Sequence, residues 1–193
     1  MPEEDSNAFY LSLGRITIYW GTLDRELAIL LEALLGTNES QTACLCNELA
    51  DVASRCRLIK SLSYTLDVPQ VWRNDLASLC NRLANDISPL RNRYMHDIWV
   101  EDQTAMRKID RRAKITKAQA FKNPELRFDT EERITVDDLD TLALKIFYDA
   151  TNLATARFDI EYLKQEGSFP SEPNLRRWRV DRTPRIKLPA VQK

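Results

Sequence analysis

"LASLCNRLANDISPLRNRYMH", residues 76–96, decides how this chain folds. Leu76, Leu79, Leu83, Ile87, Leu90 and Tyr94 recur at spacings of three and four, which places them on one face of an α-helix. Asn81, Asn85, Ser88, Asn92 and His96 fall toward the opposite side. A freely solvated helix face usually carries Lys and Glu. This one is neutral-polar and ends in the only histidine of the chain, with Trp99 close behind, as suits a cleft or a subunit contact. Pro89 removes one backbone N–H and crowds the Asn85 carbonyl, so the helix is expected to be disturbed there.

The same helical spacing recurs on both sides. Residues 7–35 read as one long amphipathic helix, capped by Ser6 or Asn7, with Ile16, Trp20, Leu23, Leu27, Leu30 and Leu34 inward and Gly36 as its left-handed stop. Gly14 and Gly21 share a face; either another helix approaches there or the two glycines are simply tolerated. A second helix is expected over about 48–66, with Leu49, Val52, Cys56, Ile59 and Leu62 inward, ended by "DVPQ". The quoted stretch belongs to a third, starting near residue 70.

Residues 98–134 break the pattern. "IWVED" and "AMRKI" suit a short hairpin and "ELRFD" another strand, giving an irregular or β-containing insertion. A last long helix then starts at a capping box of Thr135 and Asp138, runs along Leu139, Leu142, Ile146, Leu153 and Ile160, and ends at Gly167. Residues 168–193 hold four prolines and no periodicity, and read as an extended or disordered basic tail. The expected architecture is all-α: an antiparallel bundle of four to five helices in one domain, residues 1–167, with the insertion before the last helix.

Composition narrows the function. Four glycines in 193 residues argue against an all-β fold and a glycine-rich phosphate loop. A formal net charge of -1 means that nucleic-acid binding would need a local basic patch. Cys44, Cys46, Cys56 and Cys80 form no CxxC pair and, with one histidine, offer too few spaced ligands for structural zinc; reduced, mostly buried thiols are expected. HExxH and ExxH are both absent, so neither metal nor cofactor is expected. The acidic N-terminus is neither a signal nor a transit peptide and no stretch is long enough to span a bilayer, which points to the cytoplasm and no membrane partner.

Arg91-Asn92-Arg93-Tyr94-Met95-His96 resembles the R-x4-H signature of HEPN domains (higher eukaryotes and prokaryotes nucleotide-binding). The likeness covers six residues in motif and about residues 8–166 in architecture. It implies an all-α bundle, commonly a homodimer, and a metal-independent endoribonuclease of toxin–antitoxin or defence systems. It would make Arg91, Asn92 and His96 catalytic, and a protein antitoxin or other partner would be expected. Toxin-type members often carry a tyrosine two residues after the histidine, where this chain has Ile98.

The implied chemistry is attack of a 2′-hydroxyl on the adjacent phosphate. It needs a base, an acid and cation density. Imidazole can serve as acid or base near neutrality, and a guanidinium forks onto two phosphate oxygens. One histidine cannot donate and accept in the same step, so catalysis favours a twofold dimer that supplies a second His96. Asn92 would hydrogen-bond His96, four residues on, or contact phosphate. Arg93, and Arg107, Lys108, Arg111 and Arg112 of the basic run "RKIDRRAKITK", are the candidate RNA contacts, unless that run is only a solvated loop. Trp178 within "RRWRVDRTPR" suits a single strand by stacking and charge. The alternative reading is a non-catalytic dimerising module that binds a nucleotide, nucleic acid or protein, with His96 merely capping its helix.

Overall fold

A computed structural model describes residues 3–96, 98–101, 106–109, 113–114, 127–128 and 132–173, with side chains over 6–96 and 134–173. The chain is an all-α bundle. Its elements are α1 (Glu3–Leu35), α2 (Glu39–Glu48), α3 (Val52–Ser63), α4 (Gln70–Arg82), a π-helical turn over Leu83–Ile87, α5 (Ser88–His96) and, after the insertion, α6 (Val136–Glu166).

Direction follows from the side-chain partners. Glu32 and Glu39 share a groove with Arg25 and Ala43, so α2 runs back along α1. Lys60 bonds Asn81 while Arg73 bonds the Ser63 carbonyl, so α3 and α4 are antiparallel. Trp72 meets Asp159 and Arg82 meets Asp149, so α4 and α6 are antiparallel as well. Successive helices thus alternate. With five of them, counting α4 and α5 as one rod, the first and last point the same way: Ser12 bonds Asp140, Tyr19 packs on Phe147, and Arg157 pairs with Glu26. This parallel α1–α6 pair is the most extensive helix contact in the fold.

Ile16, Leu23, Leu27 and Leu30 of α1 are buried, as are Leu139, Leu142, Ile146, Leu153 and Ile160 of α6 and the six stripe residues Leu76, Leu79, Leu83, Ile87, Leu90 and Tyr94. Capping agrees with the sequence at α6, where Asp138 N–H donates to Thr135 Oγ1 at 3.2 Å and Thr135 N–H to Asp138 Oδ2 at 2.9 Å. Gly36 and Gly167 end their helices at φ 69° and 68°, a backbone conformation that side chains disfavour.

The helix expected over 48–66 is α3, which begins at Val52 behind its cap Asp51; ahead of it stands a helix that the sequence reading missed, α2, opened by an Asn38–Gln41 capping box. α2 escapes a periodicity reading because only Thr42 and Cys46 of its ten residues are buried. The disturbance expected at Pro89 is present as one widened turn ahead of it, Ser88 N–H reaching Leu83 O, and the rod continues into α5. Trp20, expected in the core stripe, is only half-buried.

The insertion contains the expected hairpin. β1 (Ile98–Glu101) pairs antiparallel with β2 (Met106–Ile109), and β3 (Ala113–Lys114) pairs with β4 (Arg127–Phe128), which lies within "ELRFD". β5 (Glu132–Arg133) adds a third strand beside β2. Of the tail, only residues 168–173 are described; there Phe169 packs edge-on against Trp72. Among the four cysteines, Cys46, Cys56 and Cys80 are buried thiols and Cys44 is exposed.

The α4–α6 interface buries charge. Asp149 is fully buried and takes two bonds from the Arg82 guanidinium. Removing one partner of such a pair strands the other. Asp149→Ala should therefore lower the unfolding free energy by about 3–5 kcal/mol in urea titration; a loss under about 1 kcal/mol would contradict this role. Burial also pushes the Asp149 carboxyl above its ordinary range, against the opposing pull of Arg82. The folded state then holds a proton that the unfolded chain releases. Stability from this group is present below the ordinary carboxylate range and is lost as pH rises to the raised value. Asp149→Asn should flatten that slope when denaturation is repeated across acidic pH.

Candidate functional site

The site is built where α5 meets α1. Leu90 and Tyr94 are buried, which pins the inner face of α5. The helical repeat then turns Asn92 and His96 outward, and both are exposed. Arg91 and Met95 lean on α1. Met95 Sδ lies 3.9 Å from Thr17 Oγ1, and the Arg91 guanidinium sits 5.0 Å above the centre of the Trp20 ring. A guanidinium over an indole gains a cation–π attraction and loses rotamer freedom.

Electrostatics hold Arg91 there. Burial pushes its guanidinium below its ordinary range, while the Asp24 carboxylate pulls the other way. Arginine stays protonated near neutrality even so. Asp24 also pairs with Arg55 at 2.6 Å. Arg55, itself buried, donates to the Leu49 carbonyl at 2.8 Å and the Cys46 carbonyl at 3.0 Å, closing the C-terminal end of α2. Asp24 thus links α5 electrostatically to the α2–α3 corner.

Arg91 and Asn92 come together: Arg91 Nη1 donates to Asn92 Oδ1 at 3.0 Å. The expected bond between Asn92 and His96 is not formed. The charged donor on the neighbouring residue takes the Asn92 oxygen instead. Among the described residues His96 has no hydrogen-bond partner and stands open at the helix end. Arg91 Nε is buried without a partner.

Arg93 is half-buried. Arg107 and Lys108 lie on β2, opposite Val100 and Trp99 of β1. Ile98, two residues past His96, pairs with Ile109, so the hairpin carries the basic strand back to the end of α5. Arg111, Arg112 and Trp178 lie outside the described residues. Sequence reasoning missed Trp20, Asp24 and Arg55 as site residues. A lone aromatic on α1 carries no local sign of a guanidinium from α5.

Among the described residues no three carboxylates, thiols or imidazoles cluster as metal ligands. No described helix is long and apolar enough to cross a membrane. Set against protein-family models, curated proteins and solved structures, the chain matches none of them.

The Arg91–Trp20 contact is measurable. A double-mutant cycle of Trp20→Ala and Arg91→Ala should give a coupling of about 0.5–1 kcal/mol in unfolding free energy. Strict additivity would mean that the stack contributes nothing.

Proposed function

We propose that the end of α5 is the active site of a metal-independent endoribonuclease, with His96 as acid–base and Arg91 as phosphate ligand. One observation carries the reading: an open imidazole and an anchored guanidinium lie within six residues of one helix, Arg91 to His96, beside a hairpin that returns a basic strand to the same end. Cleavage by an adjacent 2′-hydroxyl asks for these groups. The imidazole takes a proton from the 2′-oxygen or gives one to the leaving 5′-oxygen. The guanidinium stabilises the charge that builds on the phosphorane. Arg91 is already ordered on Trp20, so little of its side-chain entropy remains to be lost on binding. Its N–H donors lie in the guanidinium plane, so stacking a face on the ring does not block the forked edge that meets a phosphate.

His96 cannot serve as acid and base in one step, so the reading includes a homodimer that supplies a second imidazole. Arg107 and Lys108 are the proposed contacts to the RNA backbone, with Arg93, Arg111 and Arg112 as further candidates. The signature of toxin and defence nucleases frames the biological role, and a protein antitoxin is the corresponding partner class.

A second reading has its own support. Asn92 serves Arg91 rather than His96, and among the described residues nothing orients the imidazole. A catalytic ring is usually held by a partner, although such bonds often form only with substrate bound. On this reading the same surface binds a nucleotide, nucleic acid or protein without chemistry.

Cleavage of a mixed single-stranded RNA in excess EDTA separates the two. The nuclease reading predicts products with 2′,3′-cyclic phosphate ends and a rate loss of about 10²- to 10⁴-fold in His96→Ala. Arg91→Lys should also be impaired, because an ammonium lacks the planar fork. Equal cleavage by wild type and His96→Ala would overturn the assignment, and binding without cleavage by either would favour the second reading.

A further inference from the structure

Two cysteines meet where α3 packs on α4. The Cys80 thiol donates a hydrogen bond to the Cys56 sulfur, so the side chains touch across the interface. Both are buried, at 1 % exposure for Cys56 and 0 % for Cys80. The antiparallel packing of the two helices brings them together. Lys60, one turn on from Cys56, donates from Nζ to Oδ1 of Asn81, the residue after Cys80, at 2.7 Å. Small apolar side chains would fill such an interface equally well. A pair of thiols in contact adds a chemistry that those lack.

The two thiols are not equivalent. The hydrogen bond from Cys80 holds the Cys56 thiol below its ordinary range, against burial, and the Lys60 ammonium pulls the same way as the bond. That bond and burial push the Cys80 thiol well above its ordinary range. Cys56 is thus the better nucleophile and Cys80 the thiol poised beside it. The other two cysteines are placed differently. Cys44 is exposed, and Cys46 is buried near Arg55, its thiol pushed up by burial.

We propose that Cys56 and Cys80 form a redox modification site, a dithiol that hydrogen peroxide converts into a disulfide joining α3 to α4. The Cys56 sulfur attacks one peroxide oxygen and the O–O bond breaks. The departing hydroxide takes the Cys56 proton and leaves as water. The Cys80 sulfur then attacks the sulfur of the Cys56 sulfenic acid and the S–O bond breaks. The second hydroxide leaves as water with the Cys80 proton. Two thiols and one peroxide give one disulfide and two waters; each sulfur gives up one electron, and the peroxide oxygens take both.

Burial selects the oxidant. A glutathione disulfide is too large to reach so enclosed a sulfur, whereas hydrogen peroxide is close to water in size. Contact with Cys80 gives the sulfenic acid a partner already in place, so the bridge closes ahead of further oxidation to sulfinic acid. The bridge also falls where the candidate site is set. Arg55, the partner of Asp24, directly precedes Cys56, and Cys80 lies shortly before the π-helical turn that leads into α5. A bond there ties together the two supports of Arg91. The proposal stands apart from RNA cleavage.

The test is a thiol map of the full chain. Folded protein is treated with hydrogen peroxide until the exposed Cys44 is consumed. The remaining thiols are then alkylated in denaturant and the chain is cut with trypsin. Cleavage after Arg55 and Arg57 frees Cys56 with Arg57, and cleavage after Arg73 and Arg82 frees residues 74–82 with Cys80. The two peptides should appear joined, about 2 Da below the sum of their reduced masses, and should separate in dithiothreitol. In Cys80→Ser, dimedone should label Cys56 at least about tenfold more than in wild type, because the sulfenic acid has no thiol to close on. The wild-type map needs no variant and decides the matter by itself. Cys56 and Cys80 still free to alkylate once Cys44 is consumed would overturn the proposal. So would their conversion to sulfinic acids without a bridge, or a bridge from either of them to Cys44 or Cys46 instead.

Discussion

Two carboxylates buried on α6 set the register on which the site depends. Asp149 holds the Arg82 guanidinium, and Asp159 Oδ2 accepts from Trp72 Nε1 at 3.0 Å. Apolar contact between α4 and α6 would tolerate sliding or rotation; two directional bonds at opposite ends of α4 do not. With α4 fixed, the π-helical turn at Leu83–Ile87 decides the face that α5 presents. The turn accommodates Pro89 without ending the rod, leaving Leu90 and Tyr94 inward, Arg91 over Trp20 and His96 outward. A buried ion pair in mid-bundle thus governs the position of an imidazole at the bundle's end.

Much of this architecture was legible because long apolar stripes state their period. Ile16 to Leu34, Leu76 to Tyr94 and Leu139 to Ile160 each mark a helix over several turns, and the structure places helices there. The hairpin of β1 and β2 was legible from two short β-prone runs. α2 was not, since a helix that buries two residues leaves no stripe to read. Asp149 and Asp159 carry no local sign of burial, because their partners lie 67 and 87 residues away in the chain. Alternation of direction was expected, but the parallel pairing of first and last helices follows only once α2 is counted.

At the site, residue types were legible and pairings were not. Asn92 and His96 are correctly spaced for a bond, yet Asn92 bonds Arg91. Helical spacing states which groups can meet, while the strength of competing donors states which do. Arg91 rests on a ring from another helix and feels a carboxylate, Asp24, that is shared with Arg55. These links let the α2–α3 corner influence the guanidinium through charge alone. The exposed face of α1 that carries Gly14 and Ile18 borders the Arg91 contact with Trp20.

The single histidine allows a direct test of the central claim, that the end of α5 engages RNA. Its imidazole Cε1–Hε1 signal is the only one of its kind in the spectrum and needs no assignment by mutation. We would follow it in EDTA while adding an RNA oligonucleotide made uncleavable by 2′-O-methylation. The account predicts a saturable shift or broadening of that signal, weakened by added salt as phosphate contacts require. A signal that stays in place while the oligonucleotide demonstrably binds elsewhere would contradict it.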